Sequence, residues 1–253
     1  MLIDTHCHIL PWLDDGAESM QEAIAMAKCA AKEGIRTIVA TPHYGDGKYD
    51  NPAELVDLAV HQLNAELEKQ EVPVQILPGQ EVRVYKELLD DLEAGYIQTL
   101  NKSQYLLLEM PHSGIPDYFD DLLYEIHVLG LTVIIAHPER NTELMKNPRR
   151  LHYLIEQGCL SQVTSQSITG LFGRKIQKFA IHLCKRNMVH LIASDAHNLT
   201  TRPGTLSLAL ADLASQLNHQ IVEHYSVNAL RVVRNETILL EPISYPRRVW
   251  LFM

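Results

Sequence analysis

The sequence lacks the features that would tie the protein to a membrane, a disulfide framework or nucleic acid. No apolar run approaches the roughly 18 residues that a membrane-spanning helix needs, and the first residues show no basic segment followed by an apolar one, so we expect neither membrane insertion nor secretion. The four cysteines, Cys7, Cys29, Cys159 and Cys184, lie far apart, which predicts reduced thiols in a cytoplasmic protein. The formal charge of −9 disfavours a nucleic-acid partner, because phosphate backbones are bound mainly through Lys and Arg.

Short β-branched runs alternate with helical stretches along the chain. We predict strands at 2–5, 37–40, 74–77, 105–108, 132–136, 160–163 and 190–193, and helices at 19–32, 52–70, 86–94, 117–129, 148–157, 175–186 and 205–217. This alternation predicts a parallel sheet, and at 253 residues closure into an α/β barrel is favoured over an open sheet. No repeat, low-complexity segment or linker divides the chain, so we expect one domain.

Histidines and carboxylates stand at the ends of the predicted strands. His6 and His8 share one face of the first strand because strand side chains alternate, and Asp195 and His197 repeat this spacing after the last strand. Five further candidates follow the first to the fifth strand: Asp15, His43, Glu81, Glu109 and His137. Because the C-terminal ends of barrel strands meet at one rim, we expect all of these side chains to lie together. Cys7 falls on the opposite face of its strand and is expected to pack behind it.

Together the candidates comprise five imidazoles and four carboxylates, more than one tetrahedral ion uses. They predict two or three ions that share carboxylate ligands, and the absence of thiolate ligands favours manganese, iron or zinc in a catalytic site. Such ions lower the pKa of a bound water and stabilise a phosphoryl or acyl transition state. A single histidine at a strand end is more often a core or loop residue, but the complete set predicts a metal-dependent hydrolase.

The motifs resemble those of the PHP (polymerase and histidinol phosphatase) superfamily, which has an H-x-H, a mid-chain His, a Glu, a further His and a late D-x-H. The closer resemblance lies in DTHCHILP at 4–11, DDGA at 14–17, ATPH at 40–43, YDNP at 49–52, GQE at 79–81, HPER at 137–140, QVTS at 162–165 and SDAHN at 194–198. These segments are similar to those of the bacterial manganese-dependent tyrosine-protein phosphatases of capsular and exopolysaccharide loci (the CpsB/YwqE type).

The resemblance implies a single PHP domain over residues 1–253, folded as a distorted (β/α)7 TIM-like barrel with its metal site at the C-terminal rim of the strands. The core would span about residues 2–235. Residues 240–253 form a tail added to this core; we expect a loosely ordered end, with docking on the barrel or on a partner as the alternative. It further implies a protein-tyrosine phosphatase with two or three manganese ions. The expected substrate is the phosphotyrosine tail of a bacterial tyrosine kinase that regulates capsular or exopolysaccharide synthesis.

The same resemblance assigns roles to individual residues. It groups His6, His8 and Asp195 at one ion, with Glu81 and Glu109 bridging or joining His137 at a second, and Asp15, His43 and His197 at a third. Arg140 and Arg202 match the positions that contact the substrate phosphate, and a planar guanidinium suits phosphate oxygens. The nucleophile would be a metal-bound water.

A thiol nucleophile is excluded by the sequence itself. Thiol-based tyrosine phosphatases need Cys-x5-Arg, and the residues six positions beyond the cysteines are Leu13, Ile35, Ser165 and His190. If the chain removes phosphate from tyrosine, metal-activated water must attack the phosphorus.

Three alternatives stay open at this point. One is a PHP phosphatase of a small phosphomonoester such as histidinol phosphate. Another is a TatD-like metal-dependent nuclease, which also begins with a D-x-H-x-H strand but which the late Asp195 and His197 disfavour. The third is a non-catalytic scaffold, which the complete ligand set disfavours. Tyr44 stands where another polar residue or histidine is expected at the edge of the site, and the role of His112 is ambiguous.

Overall fold

Parallel strands form a closed ring in the structure, a computed structural model that describes residues 2–243. The strands are β1 Leu2–Cys7, β2 Ile35–Ala40, β3 His43–Tyr44, β4 Gln75–Pro78, β5 Glu81–Arg83, β6 Tyr105–Glu109, β7 Thr132–Ala136, β8 Leu160–Thr164 and β9 Leu191–Ala193. They pair in two parallel sheets, β1-β2-β4 and β3-β5-β6-β7-β8-β9. The chain passes from β2 to β3 and from β4 to β5 after only two residues, so these pairs act as interrupted single strands. A parallel bridge between Cys7 and Ala196 closes the ring, which confirms the predicted seven-stranded TIM-like barrel.

Helices surround this barrel. They are α1 Met20–Lys32, α2 Ala53–Lys69, α3 Leu88–Glu93, α4 Phe119–Val128, α5 Thr142–Lys146, α6 Pro148–Glu156, α7 Ser165–Thr169, α8 Arg174–Lys185, α9 Leu206–Gln216 and α10 His219–Arg234. Short 3-10 turns cover Leu100–Lys102 and Pro138–Arg140. None of the helices within the described part of the chain is long and apolar enough to cross a membrane. The predicted tail at 240–253 lies outside the described residues from 244 onward.

Three of these helices were not predicted. Helices α5 and α7 have five residues each, too few to show a helical period. Helix α10 is longer, and its sequence carried usable signals at both ends: the Asn218 side chain accepts a hydrogen bond from the Ile221 N–H, and Asn235 ends the helix with a left-handed φ of 57°. The other helices begin and end within two residues of their predicted bounds.

The core has two layers, one between the barrel and its helices and one inside the barrel. The inner layer includes Ile3, Leu107 and Ile134 from the strands, together with Ala229 and Val232 from α10. Helix α10 therefore packs against the barrel interior at the N-terminal ends of the strands. This buried apolar layer leaves the opposite, C-terminal rim free for polar side chains.

Strand β1 is irregular where it approaches that rim. Thr5 and His6 lie opposite a single residue of β2, Val39, which is a β-bulge. As a result both side chains reach the same partner: the Thr5 hydroxyl lies 2.6 Å from Gln162 Oε1, and His6 Nδ1 lies 3.0 Å from Gln162 Nε2. His6 and His8 thus lie on the same side of the strand, as predicted. The bulge beside His6 was not indicated by the sequence pattern.

Two barrel strands are interrupted for identifiable reasons: one between β2 and β3, the other between β4 and β5. Pro42 has no N–H to extend the ladder beyond β2, and its carbonyl instead accepts a hydrogen bond of 3.1 Å from the Glu81 N–H. At Gly79 a Cβ atom would come within 2.9 Å of the Leu100 and Val39 side chains. After these breaks His43 and Glu81 pair directly with each other in β3 and β5.

Candidate metal centre

All nine predicted ligands lie at the C-terminal rim of the barrel and are linked by short contacts. Glu109 ends β6, His137 follows β7 directly, and Asp195 stands two residues beyond β9. Most of the nine are buried, whereas the Asp15 side chain is 46% exposed. Two of them, His137 with a φ of 32° and Asp195 with a φ of 50°, adopt left-handed backbone conformations. Such conformations cost on the order of 1 kcal/mol or more each and concentrate at functional sites.

The first group of donor atoms forms a compact cage. The Nε2 atoms of His6 and His8 are 3.2 Å apart. Glu81 Oε2 lies 3.4 and 3.3 Å from them, and Asp195 Oδ1 lies 3.5 and 3.4 Å from them. Donor atoms at these separations surround a point roughly 2.0–2.1 Å from each, which is the bond length of a first-row metal to nitrogen or oxygen.

Glu81 extends from this cage to a second group. Its Oε1 lies 2.6 Å from His137 Nε2, which is also 3.8 Å from Glu109 Oε1. Its Oε2 lies 3.1 Å from His43 Nδ1. With one oxygen toward each group, Glu81 has the geometry that a bridging carboxylate requires.

The third group opens toward solvent. Asp15 Oδ1 lies 3.5 Å from His43 Nε2 and 3.2 Å from His197 Nε2. One donor atom of His8 comes within 4.8 Å of these three. The neighbouring His197 and His43 side chains hold the pKa of Asp15 far below its usual range, so this carboxylate is ionised at neutral pH.

Two of the buried imidazoles are in the neutral form that binds metal ions. Burial and the neighbouring Arg140 lower the pKa of His137 to about 3, and burial lowers that of His197 to about 4, so both imidazoles are neutral at neutral pH. Burial raises the pKa of Glu109, and the adjacent Glu81 charge raises it further, to about 7. A cation between these two carboxylates would relieve that repulsion.

Buried polar atoms without hydrogen-bond partners also indicate a cation site. Asp195 Oδ1 and His197 Nε2 are buried and have no hydrogen-bond partner. Leaving such a group without a partner costs about 1–3 kcal/mol, and more when it is charged. Cation binding would satisfy both atoms, so the residues present fit metal ions of the predicted kind.

Arg140 and Arg202 converge on the outer oxygen of Asp195. Their Nη2 atoms lie 2.8 and 2.9 Å from Asp195 Oδ2. The Arg140 guanidinium also lies 5.4 Å from the centre of the Phe172 ring, a cation–π contact. The Nε atoms of both arginines are buried without a hydrogen-bond partner, so each guanidinium keeps a donor for a further acceptor.

A cavity of about 260 Å³ opens above these groups. It is lined by Asp15, His43, Asp46, Lys48, Tyr49, Glu81, Arg83, Glu109, His112, His137, Arg140 and Arg202. His112, which was ambiguous in the sequence, is thus exposed at the cavity mouth.

Comparison with known proteins identifies the family. A family model described as capsular polysaccharide synthesis, CpsB/CapC, matches residues 2–234. The chain belongs to the CpsB/CapC family. Its relatives include tyrosine-protein phosphatase YwqE of Bacillus subtilis, which is 41% identical over 251 residues and 99% of both chains. The putative tyrosine-protein phosphatase CapC of Staphylococcus aureus is 38% identical over 251 residues and 98% of both chains.

Solved structures agree with this membership. A crystal structure described as YwqE from Bacillus subtilis and CpsB from Streptococcus pneumoniae, unique metal-dependent tyrosine phosphatases, matches with a TM-score of 0.94 at 41% identity. The match covers 98% of this chain and 100% of the other. A lactonase from Listeria monocytogenes matches with a TM-score of 0.56 at 13% identity, over 95% of both chains. At that identity the likeness concerns the barrel fold alone.

The structure of this CpsB/CapC chain adds supporting residues that sequence reasoning missed. Asp14 Oδ2 lies 2.6 Å from His8 Nδ1 and accepts a hydrogen bond of 3.1 Å from the His43 N–H. It therefore keeps a proton on His8 Nδ1 and directs Nε2 toward the cage, the usual role of a carboxylate behind a metal-binding histidine. The DD pair at 14–15 was visible in the sequence, but nothing in it separated the two roles.

Arg83 is a second supporting residue that was missed. It stands two residues after Glu81 in β5, so both side chains point to the rim. Arg83 Nη2 lies 3.1 Å from Glu109 Oε2, while Glu109 Oε1 faces His137. Arg83 therefore orients Glu109. The i, i+2 spacing from Glu81 was the signal that could have indicated it.

Tyr44 is not at the edge of the site, so that expectation is wrong. Alternation along β3 directs His43 to the rim and Tyr44 outward, where it is 7% exposed and packs in the outer core layer. Its hydroxyl donates to Asp91 Oδ2 at 3.0 Å. Cys7 is likewise buried on the outer side of β1, next to Ile38 in a small cavity, as expected for a residue that is not a ligand.

Proposed function

We propose that this chain is a metal-dependent protein-tyrosine phosphatase that uses no cysteine nucleophile. The observation that carries the proposal is that Arg140, Arg202 and five of the nine predicted ligands line one open cavity, and that the other four contact residues of this lining. The phosphatases YwqE and CapC, which match over nearly the whole chain, support phosphotyrosine as the substrate. Of the four cysteines, only Cys29 is exposed, and none lines the cavity.

The nine candidate residues would hold two or three manganese ions, in the three groups described above. Iron or zinc suits the same nitrogen and oxygen donors. When bound, the ions lower the pKa of a coordinated water and neutralise charge on the transferred phosphoryl group.

Arg140 and Arg202 bind and orient the phosphate. A planar guanidinium pairs with two phosphate oxygens at once, and both side chains are held at the cavity by Asp195 before substrate arrives. Preorganised donors of this kind stabilise the charge that develops in the transition state. The phosphate ester oxygen then faces the cavity mouth, and the tyrosine side chain extends outward.

Charge sets the order of binding. Without cations a phosphate dianion would face the carboxylates of Asp15, Glu81, Glu109 and Asp195, so cation binding must come first. The leaving phenolate has an ordinary pKa near about 10, which makes it a tolerable leaving group without a dedicated acid. The chain therefore needs no side chain to protonate it.

The proposed protein substrate is the phosphotyrosine tail of a bacterial tyrosine kinase that regulates capsular or exopolysaccharide synthesis. The family description, capsular polysaccharide synthesis, supports this assignment, and an open cavity at the barrel rim suits a flexible tail. The free, unpaired cysteines suit a cytoplasmic protein that meets such a kinase.

The test compares kcat/KM for a phosphotyrosyl peptide and for histidinol phosphate in the manganese-loaded protein. We expect a strong preference for the peptide and a loss of activity of about a hundredfold or more in Arg140→Ala, because charge-assisted phosphate contacts are lost. Cys29→Ser serves as a control and should retain full activity. A preference for histidinol phosphate would favour the small-substrate alternative and contradict the proposal.

A further inference from the structure

One aromatic side chain at the cavity mouth has no part in the proposed chemistry. Tyr49 lies on the loop between β3 and α2, half-buried, and lines the cavity beside Asp46 and Lys48. Among the described residues that line this cavity it is the only phenylalanine, tyrosine or tryptophan. Its ring is therefore an aromatic surface among polar and charged side chains.

The Tyr49 ring has a defined orientation beside the predicted ligands. Its plane lies within 11° of parallel to the His43 imidazole, with ring centroids 6.1 Å apart. Lys48 Nζ lies 4.3 Å from the centre of the same ring, within the range of a cation–π contact. The ring thus lies next to the metal groups at the mouth and not out in solvent.

Backbone contacts fix the loop that carries this ring. Asp46 Oδ1 accepts hydrogen bonds of 2.7 and 2.6 Å from the N–H groups of Lys48 and Tyr49. Gly45 has a φ of 74°, and a Cβ atom there would come within 2.5 Å of the Tyr85 ring, so the turn requires glycine. Such a loop presents Tyr49 in one place before substrate binds.

At the far end of the loop, Asn51 ties it to the site. The Asn51 side-chain amide donates to the carbonyls of His43 at 2.9 Å and Leu13 at 2.8 Å. The loop that carries Tyr49 is therefore connected both to β3 and to the segment that carries Asp15. These hydrogen bonds fix the position of the loop relative to the site.

We infer that Tyr49 is a specificity-determining residue that receives the phenyl ring of the substrate. This inference rests on the proposed function. With the phosphate between Arg140 and Arg202 on the inner side, the ring of a phosphotyrosine extends toward the mouth, where Tyr49 is. Aromatic rings pair favourably in offset or edge-to-face geometry, whereas an alkyl ester gains less from such a surface. Tyr49 therefore favours aryl over alkyl phosphate esters.

The test measures kcat/KM for phenyl phosphate and for glycerol 2-phosphate in the manganese-loaded wild type, Tyr49→Ala and Tyr49→Phe. We expect the aryl-to-alkyl ratio to fall about five- to tenfold in Tyr49→Ala and to stay within about twofold in Tyr49→Phe, which keeps the ring. The different intrinsic reactivities of the two esters cancel when each variant's ratio is divided by that of the wild type. Tyr124→Ala removes a 71%-exposed tyrosine of α4 that does not line the cavity, and it is the matched control.

Separate outcomes bear on the two claims. An unchanged ratio in Tyr49→Ala, or an equal fall in Tyr49→Phe or Tyr124→Ala, overturns the role of Tyr49 and leaves the phosphatase proposal standing. A wild-type protein that hydrolyses glycerol 2-phosphate but neither phenyl phosphate nor a phosphotyrosyl peptide overturns both. Thermal unfolding of each variant, compared with wild type, shows whether a change in ratio accompanies a change in stability.

Discussion

At the scale of single residues, Asp195 connects the predicted metal ligands to the two arginines that we propose bind phosphate. Its Oδ1 faces the Nε2 atoms of His6 and His8, and its Oδ2 accepts from Arg140 and Arg202. Burial would raise the pKa of Asp195, but the charges of these arginines and of His6 hold it well below its ordinary value. Asp195 therefore stays ionised while fully enclosed, and it holds both arginines at the cavity.

Asp14 should control metal affinity without being a ligand. Burial alone would lower the pKa of His8, but the Asp14 charge raises it well above its ordinary value, so the proton on Nδ1 is firmly held. In Asp14→Asn the amide orients Nδ1–H less strongly, and we expect manganese affinity to fall about 10–100-fold. Calorimetric titration measures this, with Asp121→Asn on the exposed face of α4 as the control. Unchanged affinity in Asp14→Asn would show that this contact is only structural.

His137 should make the metal-free protein sensitive to acid. Its folded pKa of about 3 lies below the ordinary 6.5, so the unfolded chain binds more protons between these values, and stability is lost as pH falls through this window. Asp4 acts in the opposite direction, because burial raises its pKa to about 6. The difference in pH-dependent stability between wild type and His137→Gln reports the contribution of His137.

We expect His137→Gln to flatten the pH dependence of the unfolding free energy by about 1 kcal/mol per pH unit between pH 6.5 and about 4. Denaturant unfolding of the chelated protein at several pH values measures the slopes. Equal slopes in wild type and variant would be inconsistent with a neutral, buried His137.

At the scale of elements, irregularities in the strands determine where the predicted metal ligands lie. The bulge at Thr5 and His6 turns both side chains inward, and the interruption at Gly79 lets Glu81 pair with His43 on separate short strands. Regular strands would carry every second side chain to the same face and could not place His6 beside Thr5. Local distortions thus form part of the site.

Gly79→Ala should destabilise the protein and disturb Glu81. The added Cβ would meet Leu100 and Val39 side chains at 2.9 Å, and overpacking of this kind costs about 1–3 kcal/mol of unfolding free energy. Gly204→Ala is the control, because its Cβ would make only ordinary contacts of 3.8 Å. Chemical denaturation compares the two, and equal stabilities would mean that the break at Gly79 tolerates a side chain.

The sequence predicted the regular parts of the fold, and the residues that lie together at the rim, better than it predicted the local details. Alternating apolar runs located all seven barrel strands, and ligand-type residues at their ends converge as expected. Two details depended on features beyond the local sequence. Strand register determines that Tyr44 points outward, and tertiary contacts determine that Asp14 supports His8. Neither register nor such contacts can be read from local residue patterns.

At the scale of the whole molecule, an acidic chain presents a mixed and partly basic opening to its substrate. The net charge is −9, yet Lys48, Arg83, Arg140 and Arg202 all line the cavity. Once cations offset the clustered carboxylates, the opening becomes positive and attracts a phosphate dianion despite the acidic surface elsewhere. We therefore expect metal loading to convert the folded barrel into an active phosphatase.

The most direct test of this account measures bound metal and phosphotyrosyl-peptide turnover on the same samples, before chelation, after chelation and after manganese is restored. We expect turnover to disappear as metal is removed and to return when two or three manganese ions per chain are bound by the predicted ligands at the rim. Full turnover in metal-free protein, or fully reloaded protein that stays inactive, would contradict it.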